Sequence, residues 1–577
     1  MLRSKTKVLA RAGTALAAAA MVAPLISVAA GSGSAGAQTT NYPRSETLYT
    51  SGTAYSPPNN FNPNDLGSLY TGTVGLLYEP LYLYDPIHSK YIPWLAKSGG
   101  WSGTNYVIHV RPGVDWVASP SGNVVGTLSG ADVAFSINLA KDNPADPWNA
   151  NVSTVKSVTY GGDTVIVHFT SHPAYTSWQD FLWNAPVLPA SIWSKMSATQ
   201  QMTAANTSPV ATGPMVLSST TSTQACFAHN PHWWGTAQLG LSFKFKYLCD
   251  EVNSSNNVEL SQLLATNIDW SNNFLPGIAA LVNGALGGNS GYGIKTYYPS
   301  KPYMLSANTV WLDMNTTKAP MNNVNFRKAV AYAINTQQIQ SSVYTGMVQV
   351  ANPTGLLPNL DQYVDKSVVS KYGFSYNPNL AKKYLKLSGY KGQKLTIEVP
   401  DGWTDWMAGI DVISQDLNAI GIHVTPEYPQ YATRESDLIN GTYDMALDNN
   451  AGIDSTPWSY FQRVFNLPIL PKQSATLNWA RFSDPKAWAL VQQAATVPLS
   501  DTAKLKSVYG QLEQDFLQAL PDVPLWYNGA WFQGQTKYWT NYPSATNPAD
   551  QYTPVMWHGW LGAMTTIYAL ANLKPAS

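Results

Sequence analysis

The stretch 310–339, VWLDMNTTKAPMNNVNFRKAVAYAINTQQI, constrains the fold more than any other part of the chain. Val310, Leu312 and Met314 alternate with Trp311, Asp313 and Asn315, the period-two pattern of a strand with one buried face. After a loop containing Pro320, Asn323 or Asn325 is placed to cap a helix whose Phe326, Ala329, Val330, Ala333 and Ile334 form one apolar stripe. The pattern predicts an α/β unit, and on physical grounds alone such a unit is core.

A chain of 577 residues is too long for one core, since single cores stop growing beyond roughly 250 to 300 residues. Two or three domains are expected. Charged residues make up 12% of the sequence, about half the usual ~25%, while aromatics also reach 12%, with 21 Trp and 33 Tyr. Ser, Thr, Asn, Gln and Tyr must therefore carry much of the surface. The formal net charge of zero argues against nucleic acid or an anionic membrane as partner.

Residues 1–37 read as an export signal. Arg3, Lys5, Lys7 and Arg11 form a basic start, 15–30 is an apolar run, and Ala35-Gly36-Ala37 is a small-residue cleavage site. Retention of the run as an anchor stays open as the alternative. No Cys follows it, so there is no lipobox, and the expected location is periplasmic or cell-surface associated. The two cysteines, Cys226 and Cys249, are too few for a metal site, and export favours their pairing over two separately buried thiols.

Further phrases accompany the 310–339 unit: Leu77-Tyr78-Glu79-Pro80-Leu81; a strand ending in Arg111-Pro112-Gly113-Val114-Asp115-Trp116, then the helix ADVAFSINLAK behind Ser129; Ala211-Thr212-Gly213-Pro214; and Asn230-Pro231-His232-Trp233-Trp234-Gly235. Gly441-Thr442-Tyr443-Asp444 and 521–526, PDVPLW, close the series. In this order, over about 45–527, they resemble the extracellular solute-binding proteins of family 5, the peptide-, nickel- and oligosaccharide-binding receptors of ABC importers. The resemblance implies an α/β, two-lobed periplasmic-binding-protein fold (type II, cluster C-like) with an extra domain inserted in the first lobe. The implied division is lobe I at 38–85, 208–305 and 525–577, the inserted domain at 86–207 and lobe II at 306–524. Ligand would bind between lobes that close as a hinge, and a monomeric receptor would deliver it to a membrane permease.

Enzyme motifs are missing: the sequence has no H-E-x-x-H, no Walker loop and no His or Cys cluster at metal spacing, so no catalytic residue, metal or cofactor is expected. A glycosidase's acid pair needs no local motif, and a secreted carbohydrate-active enzyme stays as an alternative. Glu79, beside Pro80 in an apolar run, reads as a structural hydrogen-bonding residue, and Trp233 and Trp234 read as core.

Sugar rings present apolar C–H faces and a rim of hydroxyls, which suits aromatic walls set among Asn, Asp and backbone donors. Trp270 with Asn272 and Asn273 offers that chemistry, as do Trp403, Asp405 and Trp406 at a helix start that Thr404 or Asp405 could cap. Trp458 and the run Trp526, Tyr527, Asn528 and Trp531 complete the candidates. Trp406 and Trp531 could equally be core. These clusters resemble the oligosaccharide branch of the family. Its peptide-binding members hold the ligand's amine with an acid in the region 448–458, where Asn450 stands here, with Asp448 and Asp454 nearby. An uncharged oligosaccharide is therefore the expected ligand, and a peptide the alternative.

Overall fold

In the computed structural model, residues 42–51, 57–282, 291–450, 452–473, 478–556 and 565–577 are described, Asn450 by its backbone alone. The export signal expected at 1–37 lies outside them. The stretch 310–339 forms the strand Ser306–Met314 and the helix Val324–Ala333, with Asn323 as cap accepting from the Asn325 backbone N–H at 2.9 Å. The strand has no solvent face: Val310, Leu312 and Met314 enter the main core while Trp311 enters a second one with Tyr460 and Phe461. Its alternation separates two cores, which a two-letter apolar pattern does not distinguish from core against water.

This strand is central to a six-stranded sheet ordered Gln349–Val350, Asp522–Gly529, Ser306–Met314, Met445–Asn450, Leu395–Glu398, Val424–Glu427. A seven-stranded sheet builds the other lobe, ordered Met215–Thr220, Gln224–His229, Tyr247–Glu251, Thr47–Ser51, Trp270–Ser271, Gln533–Gln535, Ile294–Lys295. Here Cys226 and Cys249 stand opposite each other on antiparallel strands and are joined as a disulfide. A third sheet, Ala96–Ser102, Asn105–Val110, Thr164–Phe169 and Val155–Gly161, carries the helix Gly130–Asp142, whose Ser129 and Asp132 form the expected capping box. The strand Asp522–Gly529 lies wholly in the six-stranded sheet, so the boundary expected at 524/525 falls inside it. Pro524 has no N–H to donate, and the ladder to Ser306–Met314 shifts register beside it.

Glu79 ties together segments far apart in the chain. Its buried carboxylate accepts from the indole N–H groups of Trp94 (2.8 Å), Trp233 (3.2 Å) and Trp234 (3.0 Å) and from Thr212 Oγ1 (2.8 Å). Four donors on one buried acceptor pair offset part of its desolvation. Replacing Glu79 by Ala strands those donors in the core, and a loss of roughly 3–5 kcal/mol in unfolding free energy is expected from denaturant titration. Glu79→Gln, which keeps an acceptor oxygen, should recover part of it.

Candidate functional site

Between the two large sheets lies a cavity of about 540 Å³. The paired strands Ser306–Met314 and Asp522–Gly529 supply Asn308 and Asn528 to its lining, and Trp531 lies two residues beyond the second strand. Tyr70, Trp148, Asn184, Asn256, Asn273 and Phe274 also line it. The second lobe faces them with Trp403, Trp406, Tyr431, Arg434 and Trp479.

The aromatic wall of the second lobe starts where the helix Thr404–Ile420 begins. Neither Thr404 nor Asp405 caps it; Trp403 occupies the cap position and makes no side-chain cap bond. Its ring meets Trp406 edge-on at 4.9 Å between centroids and tilts against Tyr431 at 5.8 Å. Across the cavity, Trp531 stacks parallel to Tyr344 at 6.1 Å and meets Phe274 edge-on at 5.3 Å. These ring contacts pack the aromatic side chains against one another.

The acids of the lining are already engaged. Asp405 accepts from Tyr344 OH at 3.0 Å and from Asn256 Nδ2 at 3.2 Å, the latter reaching over from the first lobe. Burial pushes its carboxyl up to about 6, against the pull of those donors. Arg434 pairs with Glu435 at 2.5 Å and with Asp448 at 3.4 Å, and its guanidinium also donates to Leu447 O. Asp454 is buried beside Ser459, off the cavity lining.

Of the residues singled out in the sequence, Asn273, Trp403, Asp405, Trp406, Asn528 and Trp531 come together on the cavity. Asn273 also donates its amide to the buried Glu259. The others stand elsewhere. Trp270 is fully buried, its indole N–H bonded to Pro554 O at 3.3 Å. Asn272 clamps the C-terminal segment through Trp531 O, Pro554 O and the Met556 N–H. Trp458 is bonded to Val491 O in the second core. Trp526 points to the cavity side of its strand but is covered by Tyr344 and by the helix at Gly409. Tyr527 points the other way and donates to Leu356 O at 2.8 Å. The Asn450 side chain is outside the described residues.

Sequence reasoning missed Trp148, Trp479, Tyr431, Arg434 and Asn308. Trp148 and Trp479 each adjoin an Asn, the same aromatic-polar signal used elsewhere; Asn308 lies in a strand with nothing to mark it. Among the described residues no group of three or more His, Cys, Asp or Glu could hold a metal ion, and no helix is long and apolar enough to cross a membrane.

Residues 90–467 match the sequence profile of the bacterial extracellular solute-binding proteins, family 5 (middle). The chain belongs to this family. As a family 5 solute-binding protein it has relatives that include the probable ABC transporter periplasmic-binding protein SapA of Escherichia coli K12, 25% identical over 498 residues, covering 81% of this chain and 85% of SapA. A dipeptide-binding protein of Pseudomonas aeruginosa is 24% identical over 502 residues, covering 81% and 87%. The crystal structure of a periplasmic oligopeptide-binding protein of an ABC transporter from Thermotoga maritima, with mannohexaose bound, superposes with a TM-score of 0.86 at 37% identity, covering 93% of this chain and 99% of that one. AppA of Bacillus subtilis, in complex with a nonapeptide, shares the fold at 18% identity with a TM-score of 0.72, covering 92% and 99%. The two-lobed fold and the solute-binding role are therefore those of this receptor family, and the chain is not an enzyme.

The Asp405 carboxyl gives the receptor a pH signature. Its pKa is about 6 in the native protein against an ordinary value of 3.8, so between those pH values the native state binds the extra proton. Stability from this group is complete below about pH 4 and lost as pH rises through about 6, a total of about 3 kcal/mol. Urea titrations of wild type and Asp405→Asn from pH 4 to 7 should show the variant gaining on wild type by that order.

Proposed function

We propose that this receptor serves an ABC importer, captures an uncharged oligosaccharide between its lobes outside the cytoplasm, and delivers it as a monomer to a membrane permease. The carrying observation is a cavity walled by Trp148, Trp403, Trp406, Trp479 and Trp531 in which Asp405, Glu435 and Asp448 are all engaged by other protein groups. Aromatic faces match the C–H faces of pyranose rings, and the amides between them match the hydroxyl rim. An ammonium group needs an uncommitted carboxylate, and the acid nearest the expected amine clamp, Asp448, is turned onto Arg434. The Thermotoga structure, whose ligand is mannohexaose, supports the same reading. A cavity of about 540 Å³ falls in the usual small-molecule range of ~300–1,000 Å³.

Peptide capture is the second reading, favoured by the dipeptide-binding name of the Pseudomonas relative. Thermal denaturation against neutral oligosaccharides and against di- to pentapeptides separates the two. Oligosaccharide alone should stabilise the protein, by about 2.7 kcal/mol at a hundredfold excess over Kd. Trp403→Ala should weaken that binding by roughly 2 kcal/mol, about thirtyfold, through loss of stacking area. Stabilisation by peptides alone would overturn the oligosaccharide reading.

A further inference from the structure

We infer that Asn308 and Asn528 form a paired amide contact that reads two neighbouring hydroxyl groups of the captured sugar, and so act as specificity-determining residues. The inference rests on the oligosaccharide reading and deepens it. The two residues are direct partners across the antiparallel ladder that joins the lobes, so their side chains leave the same face at one register position. Both line the cavity, and both are more than nine-tenths buried, at 2% and 6% exposure.

Among the described residues, neither Oδ1 has a hydrogen-bond partner. Buried side-chain carbonyls are nearly always paired, and an unpaired one costs free energy that a folded protein does not retain without reason. Other asparagines of the lining are held by their surroundings: Asn256 donates to Thr404 and Asp405, and Asn273 donates to Glu259. Asn308 and Asn528 differ in being aimed at the ligand space by strands fixed at both ends. A primary amide sets an acceptor and a donor side by side, and adjacent ring hydroxyls present the complementary donor and acceptor. Two such amides side by side at one register position can each bond one hydroxyl of a diol. A site built on hydrogen bonds to hydroxyls rejects an analogue lacking them far more strongly than an apolar pocket rejects a changed methylene.

The test is calorimetric titration of wild type, Asn308→Leu, Asn528→Leu and the double variant with neutral glucose- and mannose-based oligosaccharides, starting with mannohexaose, together with melting of each protein without sugar. Each single variant should bind the sugar at least about tenfold more weakly. The double variant should lose less than the product of the two, because the amides act on one diol. Without sugar, the variants should melt at or above the wild-type temperature, since each exchanges an unpaired amide for an apolar side chain; a structural role would lower it. If wild type binds an oligosaccharide and both single variants bind it within about twofold, the amide pair is refuted while the oligosaccharide reading stands. If wild type binds peptides and no oligosaccharide, both fall.

Discussion

The antiparallel pairing of Ser306–Met314 with Asp522–Gly529 is the constraint on which the rest of the structure depends. The first strand enters the second lobe and the second leaves it, so one ladder carries two connections between the large sheets. Because both strands are buried along nearly their whole length, the ladder is shielded from water and its register is set by packing on two cores. The cavity is built against it: Asn308 and Asn528 project from the ladder, and Trp531 follows three residues after Asn528. Tyr344 fills the space between Trp526 of the ladder and Trp531 of the lining, so strand, aromatic layer and ligand space form one stack.

Low charge content shapes how the protein handles its buried acids. Glu79 is held by three indoles and a hydroxyl, Glu259 by Ser271 and Asn273, and Asp405 by a phenol and an amide. At these three acids neutral donors take the place that Arg434 occupies beside Glu435 and Asp448. Burial dominates each carboxyl and raises it, to about 7 for Glu79 and about 8 for Glu259. At Glu79 three tryptophans serve this purpose, because an indole packs as a large apolar body while lending one N–H to a buried acceptor.

That dual use explains what the sequence revealed and what it hid. Turn and cap chemistry is local, so the Asn323 cap was legible, although at the helix Thr404–Ile420 Trp403 takes the cap position instead of Thr404 or Asp405. Assigning tryptophans to core or cavity is not local. Trp270 and Trp403 both sit beside polar residues, yet Trp270 is enclosed by Phe532 and Tyr542 while Trp403 faces the opposite lobe. On the strand Asp522–Gly529, Trp526 and Asn528 share a face, and only the placement of Tyr344, distant in sequence, covers one and leaves the other on the cavity. Asn308 gave no signal because what distinguishes it is the absence of a partner among the described residues, a property of the folded surroundings.

Direct hydrogen bonds cross between the segments that meet around the cavity. The Asn256 backbone N–H donates to Gly402 O at 3.1 Å, where φ is +88° and a Cβ would stand 2.4 Å from Ser254 O, so only glycine admits the approach. Tyr91 OH likewise meets Ser455 Oγ at 2.5 Å, and Thr176 Oγ1 donates to Val497 O at 3.1 Å. Each such bond contributes about 1 kcal/mol net. The amides of Asn308 and Asn528 act in the opposite direction, because enclosing them without a complementary group costs about 1–3 kcal/mol apiece. On the proposed reading, a sugar diol would remove that cost and add stacking on the tryptophans, so its affinity for the closed form would exceed its affinity for an open one. That difference is what lets a ligand shift the equilibrium toward closure. The same two side chains that would select the ligand would thereby make closure depend on it.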